Sequence, residues 1–181
     1  MSKVKSWSSS QAFCLGLAVV CGGSLPAWAD RSSVKDAKSW SYQLQGDMAS
    51  TQRSNADVAV VDPDHTGDPR RLKKKANGGK RDVLAYISIG EAEEGRAYMK
   101  GKSKQRWNTG QTQGWKGNYA AKYWDEEWKG IVKQRVSKAI AAGYDGVYLD
   151  RVDTYQKLKA PKGSRNEMIC VGRELIKLNK I

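Results

Sequence analysis

The chain is poor in the residues that build disulfides and metal sites. Its 181 residues include three cysteines and one histidine. Cys14 and Cys21 lie in an N-terminal segment that is predicted to be removed, so Cys170 is the single cysteine of the mature chain and an intramolecular disulfide is excluded. We find no metal-ligand spacing and no Walker or dinucleotide fingerprint, and expect neither metal nor cofactor. The apolar helical pattern around Cys170 predicts a buried thiol, and the turn that contains His65 predicts a surface histidine.

Long apolar runs are also scarce. The run at residues 13–21 is too short to span a bilayer. Two lysines precede it, and a small-x-small sequence that ends at Ala29 follows it. This order predicts a signal peptide over residues 1–29, cleaved after Ala29, and a secreted or periplasmic domain over residues 30–181; the alternative is an uncleaved anchor. No second apolar segment exists, so we expect no stable membrane insertion after cleavage.

Basic residues outnumber acidic ones, 32 to 19, which gives a formal net charge of +13. Such a balance can indicate nucleic acid, an anionic envelope or an acidic polymer as partner. The charge is spread along the chain, however, and the one dense run at residues 70–75 is typical of a solvated helix face. No basic groove motif is present, so we do not expect a nucleic-acid partner.

Strand and helix patterns alternate along the mature chain. Strands are predicted at residues 40–46, 57–62, 82–90 and 146–150. Helices are predicted at residues 69–77, 125–142 and 166–179, and residues 91–123 form a long irregular segment. Alternation of this kind predicts an α/β fold with a parallel sheet and right-handed crossovers.

The last predicted strand delivers a carboxylate, Asp150, at its carboxyl end. A helix that ends on Gly143 and a turn at Asp145 come before it. In parallel α/β folds this end of the sheet collects ligands and catalytic groups, so Asp150 is the candidate acid, base or nucleophile. Asp153 would raise its pKa by repulsion or cap a helix, and Arg151 would lower the pKa by pairing.

Further carboxylates follow the other strands. Asp62 ends the second strand and would contact substrate or form a turn. Glu91 and Glu93 follow the third strand at an i, i+2 spacing, which directs both side chains to one side of an extended chain. With Arg96 they would bind substrate amines and hydroxyls, or brace the end of the sheet through salt bridges.

The long segment before the second helix is rich in aromatic residues, namely Trp107, Trp115, Tyr119, Tyr123 and Trp124. Long connections of this kind are usually functional. Exposed rings there would stack on sugar rings; the alternative is that they form local core. We count Trp115, Tyr123 and Trp124 as candidate substrate contacts, together with Asn118 from the same segment.

Four segments together resemble glycoside hydrolase family 114, in its bacterial secreted branch that is similar to endo-α-1,4-polygalactosaminidase. They are WSYQLQG at 40–46, YISIGEAEEGRAY at 86–98, WKGNYAAKYWDEEW at 115–128 and AGYDGVYLDRVDTY at 142–155. The order and spacing of the set carry the resemblance, which covers roughly residues 40–158.

The resemblance implies a (β/α)₈ TIM barrel, of which this chain would hold about the first four βα units. It implies cleavage of a galactosamine-containing polysaccharide by two carboxyl groups. Asp150 matches the family's catalytic aspartate, and the partner acid lies later in the family than residue 181. We therefore expect a truncated member whose half barrels self-associate; the alternative is a non-catalytic carbohydrate-binding remnant.

Overall fold

The computed structural model describes residues 32–101 and 105–178. The predicted signal peptide at residues 1–29 lies outside the described residues. Within the described ranges, no helix has both the length and the apolar character needed to cross a membrane.

Seven strands form two sheets in the part of the chain that the structure describes. They are β1 (Trp40–Gln43), β2 (Val58–Val61), β3 (Asp82–Ser88), β4 (Glu91–Glu93), β5 (Asn108–Gln111), β6 (Asn118–Ala121) and β7 (Gly146–Asp150). The larger sheet has the order β1-β2-β3-β7 and the smaller one the order β4-β6-β5. The α-helices are α1 (Ser32–Lys35), α2 (Ala49–Gln52), α3 (Pro63–Thr66), α4 (Glu126–Ala142) and α5 (Ser164–Lys177).

The larger sheet confirms the predicted parallel α/β arrangement. β1 pairs parallel with β2, starting with Trp40 opposite Val58, and β2 pairs parallel with β3, starting with Val58 opposite Asp82. All residues of β2 are buried, as expected for an aliphatic strand covered on both faces. β1 and β7 are the outer strands of this sheet, so the described strands do not form a closed barrel.

The segment predicted as irregular contains the smaller, antiparallel sheet. β4 pairs with β6, where Glu91 lies opposite Ala120, and β5 pairs with β6 through an irregular register. These strands of three or four residues have the sequences EAE, NTGQ and NYAA, with few apolar residues. They lack the apolar alternation by which a strand is recognised, and this is why sequence reasoning missed them.

The helix predicted at residues 69–77 is wrong: the structure has only a four-residue 3₁₀ helix, Pro69–Leu72. A continued α-helix would require the Ala76 N–H to donate to the Leu72 carbonyl. Instead the buried Arg81 guanidinium donates to that carbonyl at 3.1 Å, and the Ala76 N–H donates to the Ser54 carbonyl at 3.2 Å. A contact across the fold therefore overrides the local helical preference.

The predicted helix at residues 125–142 is confirmed as α4. Asp125 caps its first turn, because the Asp125 carboxylate accepts the Glu127 N–H at 3.0 Å. The helix buries one face through Trp128, Val132, Val136 and Ala139. Gly143 follows the helix with φ of 97°, a left-handed conformation that suits glycine.

The predicted last helix is confirmed as α5, but the burial predicted for Cys170 is wrong. The helix buries Met168, Val171 and Leu175, which share one face. Cys170 lies two residues after Met168, a rotation of about 200° around the helix axis. Its side chain therefore points away from the buried face and is exposed.

The chain divides into two compact units. Of the described residues, the first unit comprises 32–86 with Lys138–Tyr148, and the second comprises 87–101, 105–137 and 149–178. A core cluster of the first unit contains Val58, Val60, Leu84 and Tyr86, with Ala37, Leu44 and Tyr148 packed against it. In the second unit, Trp128 packs on Trp107 with ring centroids 4.8 Å apart, and Tyr98 lies edge-on to Trp128 at 5.8 Å.

A glycine allows two segments of the second unit to meet closely. A Cβ atom added to Gly90 would lie 2.4 Å from the Arg151 carbonyl oxygen and 2.3 Å from the Thr154 hydroxyl. The Gly90 carbonyl accepts the Ala121 N–H at 3.0 Å. Any other residue at this position would push the chain after β7 away from the end of β3.

Asp57 ties the start of β2 to the residues that precede β1. Its carboxylate accepts the backbone N–H groups of Lys38 and Ser39 at 2.9 and 3.0 Å, and the Lys75 ammonium lies 2.5 Å away. The hydrogen bond from Lys75, followed by those from Lys38 and Ser39, holds the pKa of Asp57 well below its usual range.

We expect Asp57→Asn to flatten the acid limb of the stability profile. Because the pKa of Asp57 is lowered on folding, its contribution is present above the unfolded pKa of about 4 and is lost as pH falls further. Urea unfolding of the parent and the variant at about pH 7, 4 and 2.5 should show a difference that shrinks towards acid. The exposed Asp36→Asn serves as control, and a difference that stays constant with pH would contradict the assignment.

We expect Gly90→Ala to lower the free energy of unfolding by about 2–3 kcal/mol, because its Cβ would meet backbone that cannot move independently. The matched control is Gly130→Ala in α4, where an added Cβ meets nothing within 4 Å. Higher helix propensity should make that variant up to about 1 kcal/mol more stable. Denaturant unfolding measures both, and equal stability of the two variants would exclude the close approach at Gly90.

Candidate active site

Asp150 is the last residue of β7, as the sequence predicted. Its backbone carbonyl accepts the Ile89 N–H at 3.0 Å, so the end of β7 is held beside the residue that follows β3. The residue is half-buried, and it takes part in further interactions within the structure. The carboxyl group therefore lies at the end of a parallel sheet where α/β enzymes carry their chemistry.

Glu91 is a buried carboxylate with several donors. The residue is 5% exposed, and its carboxylate accepts hydrogen bonds from the Thr112 hydroxyl at 2.6 Å and from the Asn118 amide at 2.7 Å. The Arg151 guanidinium lies 3.3 Å from the same carboxylate. These contacts correspond to the bracing alternative for Glu91, and Asn118 takes part in them.

Arg151 combines backbone strain with a buried polar atom. Its φ of 60° makes it the single non-glycine residue of positive φ among residues 32–101 and 105–178. A left-handed conformation costs such a residue about 1–3 kcal/mol. Its Nε is buried and has no hydrogen-bond partner in the structure. Outliers of this kind cluster at functional sites, where the surrounding contacts hold them.

Glu93 and Arg96 form a second ion pair, with the Arg96 Nη2 2.6 Å from the Glu93 carboxylate. Arg96 is 7% exposed, so its guanidinium is held by the fold. The Glu93 N–H donates to the Tyr98 hydroxyl at 3.2 Å, and burial raises the pKa of that hydroxyl. These contacts correspond to the salt-bridge alternative for Glu93 and Arg96.

The aromatic residues of the long segment divide between core and surface. Trp107 and Tyr123 are fully buried, and the Tyr123 hydroxyl donates to the Ser164 carbonyl at 2.9 Å. The prediction of Tyr123 as a stacking surface is therefore corrected, because its ring packs in the interior. Trp115 is 64% exposed. Trp124 is half-buried and meets Tyr123 edge to face at 4.9 Å.

Two other predicted carboxylates have local roles. Asp62 is 2% exposed, and its carboxylate accepts the Asp64 N–H at 2.9 Å, which caps α3. This is the turn-forming alternative that the sequence left open for Asp62. Asp153 is exposed and lies in the first turn of the 3₁₀ helix Val152–Gln156. His65 is exposed in α3, as predicted.

Asp145 does more than the turn formation that was expected of it. Its carboxylate accepts the Val83 N–H at 2.9 Å and pairs with the Lys73 ammonium at 2.6 Å. The Asp145 N–H in turn donates to the Val83 carbonyl at 2.9 Å. Nothing in the local sequence signals this contact, because its partners lie 62 and 72 residues away.

Across residues 32–101 and 105–178, no cluster of His, Cys, Asp or Glu is arranged to hold a metal ion.

Comparison with known proteins finds relatives by sequence and by structure. The chain is 38% identical over 127 residues to an uncharacterized protein of Methanocaldococcus jannaschii, covering 65% of this chain and 36% of that protein. It is 34% identical over 142 residues to an uncharacterized protein of Deinococcus radiodurans, covering 72% of this chain and 46% of that protein. The chain thus spans less than half the length of these relatives.

Two solved structures share the fold. The glycoside hydrolase domain of PelA from Pseudomonas aeruginosa superimposes with a TM-score of 0.63 at 22% identity, covering 78% of this chain and 56% of that one. Aspergillus fumigatus Ega3, solved in complex with galactosamine, gives a TM-score of 0.59 at 21% identity, covering 78% of this chain and 55% of that one. At these identities the likeness establishes a fold similar to theirs. The model of glycoside hydrolase family GH114 matches residues 23–179, and the chain belongs to that family.

Proposed function

We propose that this chain supplies Asp150 as one of the two carboxyl groups by which a family 114 glycoside hydrolase cleaves a galactosamine-containing polysaccharide. Family membership supports a glycosidase-like function. The substrate class is supported by the resemblance to endo-α-1,4-polygalactosaminidase and by the galactosamine bound to Ega3. Export through a signal peptide at residues 1–29 stays part of this proposal, since a polysaccharide substrate would lie outside the cell.

The position of Asp150 at the end of β7 carries the proposal. Glycosidic cleavage requires one carboxyl group to protonate the leaving oxygen and another to act as nucleophile or base. Glu91 and Glu93, two other predicted acids in the second unit, are both engaged in ion pairs with arginines. We assign Asp150 because it ends β7 and matches the family's catalytic aspartate, and the resemblance places its partner later in the family than residue 181.

In a protein that also includes the later segment with the partner acid, we expect Asp150→Asn to abolish the release of reducing ends from a galactosamine-rich polymer. An amide can neither donate a proton to the leaving oxygen nor act as a nucleophile, so the rate should fall by at least about a thousandfold. The assay compares the parent, the variant and the exposed Asp36→Asn control, with circular dichroism to verify folding. Cleavage that survives in a folded Asp150→Asn protein would remove Asp150 from the reaction.

A carbohydrate-binding module without cleavage is the second candidate, and the exposure of Trp115 favours it. Trp115 lies in the turn between β5 and β6, where its N–H donates to the Thr112 carbonyl at 3.0 Å and its carbonyl accepts the Asn118 N–H at 3.1 Å. The indole is thus presented on an ordered turn that allows an apolar sugar face to lie against it.

We expect Trp115→Ala to weaken binding of galactosamine oligosaccharides by about tenfold, as loss of a well-placed aromatic contact usually does. Isothermal titration of the parent and the variant measures the change. Trp124→Ala provides a second test of the same surface, and Lys116→Ala is the matched control on the same turn. Binding that is unchanged in both tryptophan variants would exclude this surface. Self-association of the chain and the absence of a nucleic-acid partner stay predictions.

A further inference from the structure

The backbone between β7 and the following 3₁₀ helix is held in one conformation. Arg151 follows Asp150 directly and has φ of 60°. Its carbonyl accepts the Thr154 N–H at 3.2 Å and sits against Gly90, where even a methyl group would not fit. The Asp150 carbonyl is fixed by the Ile89 N–H at 3.0 Å. Asp150 is thus attached to the body of the second unit on both sides of its Cα atom.

The Arg151 side chain adds a third attachment. Its guanidinium lies 3.3 Å from the Glu91 carboxylate, which is itself held by Thr112 and Asn118. A carboxylate with two neutral donors on it is a fixed anchor, because movement would leave buried polar groups unsatisfied. A glycine would adopt φ of 60° without strain, so the turn alone does not require an arginine. The arginine adds a guanidinium that pairs with the Glu91 carboxylate, which a glycine could not do.

We propose that Arg151 is a positioning residue for the reaction: its left-handed turn and its anchor on Glu91 hold the Asp150 carboxyl in one orientation towards the glycosidic bond. This inference rests on the proposed function for the identity of the reaction. The orientation itself is a property of the chain that is measurable without substrate. Arg151 acts through Asp150 and is not assigned a contact with the sugar.

The test compares Arg151→Gly and Arg151→Lys with the parent. The glycine variant keeps the turn and removes the guanidinium, and the lysine variant keeps the charge but not the forked donor geometry. Lys159→Gln, an exposed site in the same unit, controls for the loss of one positive charge. In the isotope-labelled full chain, scalar couplings report the χ1 rotamer of Asp150. Reducing-end assays on a protein that also includes the partner acid report kcat and KM separately.

We expect Asp150 in Arg151→Gly to average over rotamers, whereas the parent and Lys159→Gln keep a single rotamer. In the cleavage assay, kcat of Arg151→Gly should fall by about 10–100-fold while KM stays within about twofold, since misorientation affects the chemical step. Arg151→Lys should lie between the parent and Arg151→Gly in both measurements. Loss of the guanidinium removes the opposite charge from the buried Glu91 carboxylate, so the unfolding midpoint of Arg151→Gly should fall. The assays are therefore run at a temperature at which the parent and the variant are both folded.

A single Asp150 rotamer in Arg151→Gly would overturn the proposal, whether or not the chain cleaves polymer. So would a loss of kcat that disappears at a temperature at which Arg151→Gly is fully folded, since that result indicates a structural role alone. Should Arg151→Gly fail to fold, Arg151→Lys and Glu91→Gln provide the same rotamer measurement. Cleavage retained by Asp150→Asn would defeat the proposed function, and the rotamer result would still decide the role of Arg151.

Discussion

The second unit depends on the satisfaction of one buried carboxylate, that of Glu91. An ionised carboxyl group removed from water costs several kcal/mol unless donors and an opposite charge replace the lost hydration. Thr112, Asn118 and Arg151 supply them, and they come from the β5–β6 connection, from β6 and from the residue after β7. Loss of any one of these three partners would leave the buried Glu91 carboxylate incompletely satisfied. The small antiparallel sheet and the end of β7 are therefore stabilised by the same group.

Close backbone approach and electrostatics act together around Asp150. Gly90 admits the Arg151 carbonyl to a distance that no side chain would permit, and Glu91, the next residue, holds the Arg151 guanidinium. Two neighbouring residues after β3 thus fix the backbone and the side chain of one residue after β7. Both contacts hold Arg151 and therefore the backbone next to Asp150. Asp150 ends β7, in the region where enzymes of this architecture carry their reactive groups.

Local patterns were sufficient to predict the elements whose stability is local or whose burial is complete. The aliphatic run of β2, the long apolar strand β3 and the Asp125 cap of α4 each leave a recognisable sequence pattern. The strand position of Asp150 was predictable for the same reason. Burial of Cys170 was mispredicted because the surrounding residues are apolar, although the helical phase places the thiol on the other side of α5.

What the sequence did not reveal depends on contacts between distant residues. The Glu91 carboxylate meets partners 21 and 27 residues away, and no motif spacing signals such a contact. Arg81 captures the Leu72 carbonyl and so ends a helix that the local pattern favours. The division of the aromatic residues into a buried Tyr123 and an exposed Trp115 follows from the pairing of β4, β5 and β6, which only the folded chain defines.

The exposure of Cys170 has a practical consequence. It is the only cysteine in residues 32–178, and it lies on the face of α5 opposite Met168, Val171 and Leu175. A maleimide dye or a nitroxide attached at this thiol would leave those packed residues untouched. In a preparation that lacks the first 29 residues, the label would go to one defined place and would allow distance measurements to a second probe elsewhere on the protein.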